Sequence, residues 1–163
     1  MRRILTIARS PMTAALFISL ALAGCASKNN LGANGVAMNA TPGSAQDFTV
    51  NVGDRIFFDL DSSSIRPDAQ QTLSRQAQWL ARYPRYTITV EGHADERGTR
   101  EYNIALGQRR AVAARDYLVS QGVSANRMRT ISYGKERPVA ICDAPACWNQ
   151  NRRAVTVLNN ASQ

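Results

Sequence analysis

Hydrophobic and polar positions fall into three regimes along the chain. A solid apolar run spans Pro11 to Ala23, residues 26–46 carry almost no large apolar side chain, and from Asp47 onward apolar positions recur periodically. In that last regime Asp54-Arg55-Ile56-Phe57-Phe58-Asp59 reads as a short strand. Ala69, Leu73, Ala77 and Leu80 recur at helical spacing and predict a helix over 67–82. Pro67 suits its first turn, Asp68 complements the dipole there, and Pro84 stops it. The β-branched stretch Thr87-Ile88-Thr89-Val90-Glu91-Gly92 predicts a second strand. Residues 100–121 predict a long helix closed by Gly122. Met128 to Tyr133 and Arg153 to Leu158 predict the third and fourth strands, and no internal repeat is visible. The order β-α-β-α-β-β predicts an α/β (α+β) two-layer sandwich, a mixed four-stranded sheet with two main helices on one face.

The first regime reads as targeting. Arg2, Arg3 and Arg9 precede an apolar run of about 13 residues, short of the roughly 20 that a spanning helix needs. Residues 1–24 are therefore expected to be a signal peptide. Leu22-Ala23-Gly24-Cys25 resembles a bacterial lipobox: small residues let a peptidase approach the backbone, and the Cys25 thiol takes lipid. An ordinary signal peptide with an incidental cysteine, or a short membrane anchor, are the competing readings. Ala26 stands where lipoproteins kept at the inner membrane often carry Asp, which points to the outer membrane with the domain facing the periplasm. One acyl chain binds marginally and two or more anchor stably. Residues 25–46 read as the lipidated cysteine and a flexible tether of Asn, Gly, Ala and Ser, too polar to offset chain entropy. A tether of this length reaches at most roughly 70–75 Å, with an r.m.s. span of about 25 Å. Residues 47–163 form the single domain.

Composition narrows the class. The chain has 163 residues, 44% apolar and 20% charged, which excludes a disordered chain, a collagen-like fibre and a multi-span membrane protein. The formal charge of +8 invites nucleic acid or an anionic surface. Loss of Arg2, Arg3 and Arg9 with the signal peptide lowers it to +5, and all twelve acids lie between Asp47 and Asp143. Diffuse arginine among nearby acids gives no reason to invoke nucleic acid.

Candidate chemistry concentrates in Glu91-Gly92-His93-Ala94-Asp95-Glu96-Arg97-Gly98-Thr99, a loop after a strand and before a helix, where ligands commonly bind. His93 and Glu96 lack the spacing of a zinc protease or deaminase, His93 is the single histidine, and no nucleophile elbow appears. No enzyme and no cofactor is expected, although His93, Cys142, Cys147 and a carboxylate form a conceivable zinc set. His93 itself reads as a loop residue hydrogen-bonded to backbone. On a helical wheel Leu106, Ala113 and Tyr117 set the buried direction of the second helix, with Asn103 and Arg110 on its edge. A cation there needs a partner, and Asp95 or Asp59 can supply one. This is either a structural ion pair or a pocket with one anion and one cation side by side, suited to the zwitterionic head of an α-amino acid. Cys142 and Cys147, behind a secretion signal, are expected to form a disulfide.

Phe57-Phe58-Asp59-Leu60-Asp61, Ile65-Arg66-Pro67, the Glu91–Thr99 stretch, Glu101-Tyr102-Asn103-Ile104-Ala105-Leu106-Gly107-Gln108-Arg109-Arg110-Ala111, Ser132-Tyr133-Gly134-Lys135-Glu136 and Asn151-Arg152-Arg153-Ala154 together resemble the peptidoglycan-associated lipoproteins, within the wider OmpA-like peptidoglycan-binding family. The similarity runs over residues 52–158. It implies non-covalent binding of peptidoglycan, with Asp95 on the ammonium and Arg110 on the carboxylate of the diaminopimelate side chain. Phe58 and Asp59 resemble pocket walls, and Arg97, Thr99 and Asn103 resemble flanking contacts. The resemblance also implies the Tol system, with TolB as a partner competing with the wall, in support of envelope integrity and cell division. An interaction module for TolB with weak wall binding is the alternative. Asn151-Arg152-Arg153 is read as structural, and the Cys142–Cys147 loop departs from enterobacterial members. Asp95→Ala or Arg110→Ala is expected to remove binding while the fold survives.

Overall fold

The computed structural model of the protein describes residues 40–159. The expected signal peptide (1–24), Cys25 with its expected lipid, and most of the expected tether lie outside the described residues. Among the described residues no helix is long and apolar enough to cross a membrane.

The four strands and two main helices follow the expected order, and further short helical segments, among them one between the third and fourth strands, add to it. The elements are a short helix α1 (Ala45–Asp47) running into a π-helical turn (Phe48–Gly53), β1 (Arg55–Phe57), α2 (Pro67–Arg82), β2 (Thr87–His93), α3 (Arg100–Ser120), β3 (Met128–Gly134), α4 (Pro145–Asn151) and β4 (Arg153–Asn159). The four strands form one sheet in the order β1-β4-β2-β3. β4 is antiparallel to both β1 and β2, with Phe57 opposite Arg153 and Gly92 opposite Ala154. β2 and β3 are parallel, so α3 supplies the crossover between them. The sheet is mixed because the last strand inserts antiparallel between β1 and β2.

The helix stripe Ala69, Leu73, Ala77 and Leu80 is buried as its spacing requires. It packs with Ile56, Phe58, Ile88, Val90, Ala111, Ala114 and Leu118 into one core. β1 is shorter than expected, because Phe58 and Asp59 leave the sheet. The Phe58 N–H still donates to the Arg152 carbonyl at 2.9 Å, which fixes where the chain turns away.

The spacer expected to reach residue 46 meets packed structure earlier. The Gly43 carbonyl accepts from Arg85 Nη2 and from the Tyr86 hydroxyl, both at 2.8 Å. Ser44 caps α1 through the Asp47 N–H, and Asp47 Oδ2 accepts the Trp79 indole N–H at 2.8 Å. These bonds use polar and glycine residues that, read by composition alone, look unstructured.

α3 meets β2 at unusually short range. A Cβ on Gly92 would overlap the Gly107 carbonyl, and one on Gly107 would overlap the Ser132 hydroxyl. Two glycines facing each other thus let the helix backbone approach the strand, and one turn later Arg110 comes under the end of β2.

Candidate functional site

Asp95, Arg97, Asn103 and Arg110 line one pocket of about 370 Å³, together with Leu60, Asp61, Gly98, Tyr102, Leu106 and Arg152. The pocket lies where the β2–α3 loop, the first turns of α3 and the segment after β1 converge. The β2–β3 register shifts between Gly92 and His93, and this irregularity ends the ladder and releases the chain toward Asp95. Lys135 steadies the loop by donating to the carbonyls of Glu96 and Gly98.

Arg110 differs from its expected placement. It sits in the middle of the buried face of α3, flanked by Asn103, Leu106, Gly107, Ala111, Ala114 and Leu118, while Ala113 and Tyr117 are only half-buried. The wheel drawn through Leu106, Ala113 and Tyr117 was rotated, because the two glycines carry the close contact that bulky residues usually mark. Arg110 has no solvent-accessible surface. Its partners are neither of the expected carboxylates but three backbone carbonyls: Ser62 at 2.8 Å, His93 at 2.8 Å and Asp59 at 3.1 Å. The Phe58 ring lies beside it, 5.2 Å from Cζ to centroid. A guanidinium has five N–H donors. Three are engaged, which leaves one on each terminal nitrogen. Burial, with the nearby Arg152 charge, pushes its pKa down to about 10, partly opposed by Asp95 and Asp61. It remains a cation at neutral pH, held by dipoles alone.

Asp95 is the complementary charge, itself buried. It accepts from Arg97 Nη2 at 2.7 Å and from Arg152 Nη1 at 3.2 Å. Burial would raise its carboxyl, but the hydrogen bonds from the Arg97 side chain and backbone and from Arg152 outweigh that and hold it below the ordinary value. Arg152 also reaches the Phe58 carbonyl and Asn149 Oδ1. Asn103 donates to the Arg97 carbonyl at 2.7 Å and so ties α3 to the loop.

Three expected contacts do not line this pocket: Thr99, Asp59 and Phe58, the last two lining a separate recess beside Arg66 and Arg152. Thr99 is the N-cap of α3, its hydroxyl accepting the Tyr102 N–H, and it does not line the pocket. The Asp59 carboxylate points outward to Arg66 at 3.3 Å, and only its carbonyl serves the site. His93 is the last residue of β2, with a buried ring whose two nitrogens have no hydrogen-bond partner. Glu91 Oε2 stands 3.6 Å from Nε2, beyond bonding reach. Burial and the charges of Arg153 and Arg137 push the His93 pKa down to about 4. His93 is thus not the loop residue bonded to backbone that the sequence suggested: its ring is unbonded, and its carbonyl serves the site by accepting from Arg110 Nη1.

Several site residues escaped the sequence reading. Tyr102 and Asp61, joined by a hydrogen bond, wall the pocket beside Leu60; all three lie in the motifs that carried the resemblance. Arg152 was read as structural, yet it contacts Asp95 directly. Trp148 stacks on Arg97, 4.0 Å from Cζ to centroid, and gave no signal in sequence. It sits on α4, whose start is tied by the Cys142–Cys147 disulfide. Among the described residues no three His, Cys, Asp or Glu side chains group to hold a metal ion.

The profile of the OmpA family matches residues 57–153. Over its whole length the chain is 74% identical to the full peptidoglycan-associated lipoprotein of Brucella melitensis. It is 72% identical to that of Rhizobium meliloti, covering 98% of this chain and 93% of the relative. Among solved structures it resembles the peptidoglycan-associated lipoprotein of Burkholderia pseudomallei, with TM-score 0.64, 45% identity, and coverage of 65% of this chain and 90% of that one. The C-terminal domain of Helicobacter pylori MotB is similar too, with TM-score 0.62, 26% identity, and coverage of 66% and 84%.

Proposed function

This chain belongs to the OmpA family and to its peptidoglycan-associated lipoproteins, and from that premise we propose that it is an outer-membrane lipoprotein that binds peptidoglycan non-covalently and links membrane to wall. It is a binding module and not an enzyme.

One observation carries the site assignment. A fully buried guanidinium, compensated by carbonyl dipoles and not by a carboxylate, lines the same pocket as a buried carboxylate. A buried charge that has dipoles but no counter-charge favours an incoming counter-charge, because little water competes for it. The zwitterionic end of a diaminopimelate side chain is complementary in charge to this pair. Its ammonium faces Asp95, and its carboxylate takes the remaining N–H on each terminal nitrogen of Arg110. Asn103 and Leu106 complete the lining between them. Arg110 is reached when the exposed part of the lining gives slightly; that part comprises Leu60, Asp61, Arg97, Gly98 and Tyr102, with Asp61 bonded to Tyr102. Cys25 carries the lipid, and the polar segment after it lets the domain search for the wall.

The test is sedimentation with purified diaminopimelate-containing peptidoglycan. The wild-type chain is expected to pellet and Asp95→Ala to stay in solution with an unchanged circular dichroism spectrum. Equal pelleting of the two would overturn the pocket assignment. We place the chain in the Tol system on resemblance, with TolB as a partner that competes with the wall. Added TolB is then expected to release bound chain from peptidoglycan, and a ternary pellet would argue against competition.

A further inference from the structure

Asp95 has no free acceptor position in the protein alone. Its oxygens accept the Arg97 backbone N–H at 3.2 Å, Arg97 Nε at 3.1 Å, Arg97 Nη2 at 2.7 Å and Arg152 Nη1 at 3.2 Å. A carboxylate offers about four lone-pair sites. Four donors therefore fill it, and two cations face one anion. A ligand ammonium arriving here must displace one of them.

The two cations are unequal. Arg152 is nearly buried, and its other nitrogens hold the buried Phe58 carbonyl and the Asn149 amide oxygen, so withdrawing it would orphan a buried acceptor. The Arg97 side chain is 38% exposed, and both of its side-chain hydrogen bonds go to Asp95. Its withdrawal orphans nothing except the carboxylate that the ligand would satisfy. Trp148 lies against its guanidinium and is itself fixed by donating its indole N–H to Glu96 Oε1 at 2.6 Å.

We propose that Arg97 is an intramolecular competitor for the ammonium subsite: its guanidinium occupies Asp95 in the free protein, Trp148 holds it there, and a ligand ammonium binds by displacing it. The inference rests on the diaminopimelate reading above and reverses the expected sign for Arg97, which the resemblance implies to be a flanking contact. It also makes Arg97 a determinant of selectivity. A ligand end with a carboxylate and no cation cannot replace the guanidinium at Asp95, so it leaves the plug in place and binds weakly.

The experiment is calorimetric titration of the full chain, in detergent, with the free stem tripeptide L-Ala-γ-D-Glu-meso-diaminopimelate. Arg97→Ala is expected to bind about tenfold tighter than wild type, since a charge-assisted bidentate competitor is gone. Arg97→Lys keeps a competing cation and is expected to bind within about twofold of wild type, while Trp148→Leu tightens binding about threefold by loosening the plug. Arg97→Ala binding equally or more weakly, with Asp95→Ala inactive, overturns the competitor role and leaves the pocket assignment standing. Failure of wild type to bind the tripeptide, or undiminished binding by Asp95→Ala, overturns both.

Discussion

Arg110 is a cation whose hydrogen bonds go to carbonyl oxygens, and this makes it a structural pillar in addition to its proposed part in binding ligand. Removing its side chain strands the carbonyls of Ser62, Asp59 and His93. Each buried unsatisfied polar group costs about 1–3 kcal/mol. Arg110→Ala is therefore expected to lose about 3 kcal/mol or more in urea denaturation, against the sequence-based expectation that the fold survives the change untouched. Arg110→Lys keeps the charge but lacks the fork, and it should lose less stability while still losing ligand. His93 makes a second prediction. Its pKa is lowered from 6.5 to about 4, so the unfolded chain binds a proton that the folded one refuses between those values. Its contribution is complete above pH 6.5 and is lost as pH falls toward 4, a change of about 3 kcal/mol. His93→Phe should flatten the stability profile in that window, and an unchanged slope would discount the buried imidazole. Asp95 was legible at this scale from its loop motif. The state of Arg110 was not, since spacing reports which face a residue occupies and says nothing of which carbonyls converge on it.

At the scale of elements, periodicity served well where a core-facing stripe existed. α2 begins and ends where Pro67 and Pro84 indicated, and its stripe is buried. α3 was placed correctly in sequence but misjudged in rotation, because Gly92 and Gly107 contribute their contact by lacking side chains. α4 was missed altogether: in Pro145–Asn151 the apolar residues are consecutive and make no stripe at helical spacing, and among its residues only Asn151 is buried. That helix depends on its staple. A disulfide closing so short a loop contributes about 2 kcal/mol on the chain-entropy account. Reduction is expected to lower stability by up to that amount, read from urea midpoints with and without dithiothreitol. It should also loosen Trp148, so that a fluorescence change on reduction precedes global unfolding.

At the scale of the whole molecule, the formal +8 dissolves into local arrangements. Three charges depart with the expected signal peptide, and most of the remainder is paired or bonded to backbone, as Arg127 is to the carbonyls of Leu80, Tyr83 and Tyr86. On the proposed reading, what links this domain to a membrane is lipid and not charge. Cys25→Ser is expected to move the chain from the membrane fraction to the soluble periplasm while peptidoglycan binding in vitro persists, and mass spectrometry of the mature N-terminus should show acyl chains on wild type alone. The sequence by itself determined the order of elements, the fold class, the family and the loop that bears Asp95. These follow from local periodicity, capping residues and contiguous motifs, all of which are written along one dimension. Only the tertiary structure decided that Arg110 is buried among carbonyls, that Arg97 and Arg152 share Asp95, and that Trp148 stands over Arg97. Those groups are 2 to 57 residues apart in the chain. Their meeting depends on a close helix–strand approach, a strand inserted out of order and a stapled helix, and no local pattern encodes such convergence.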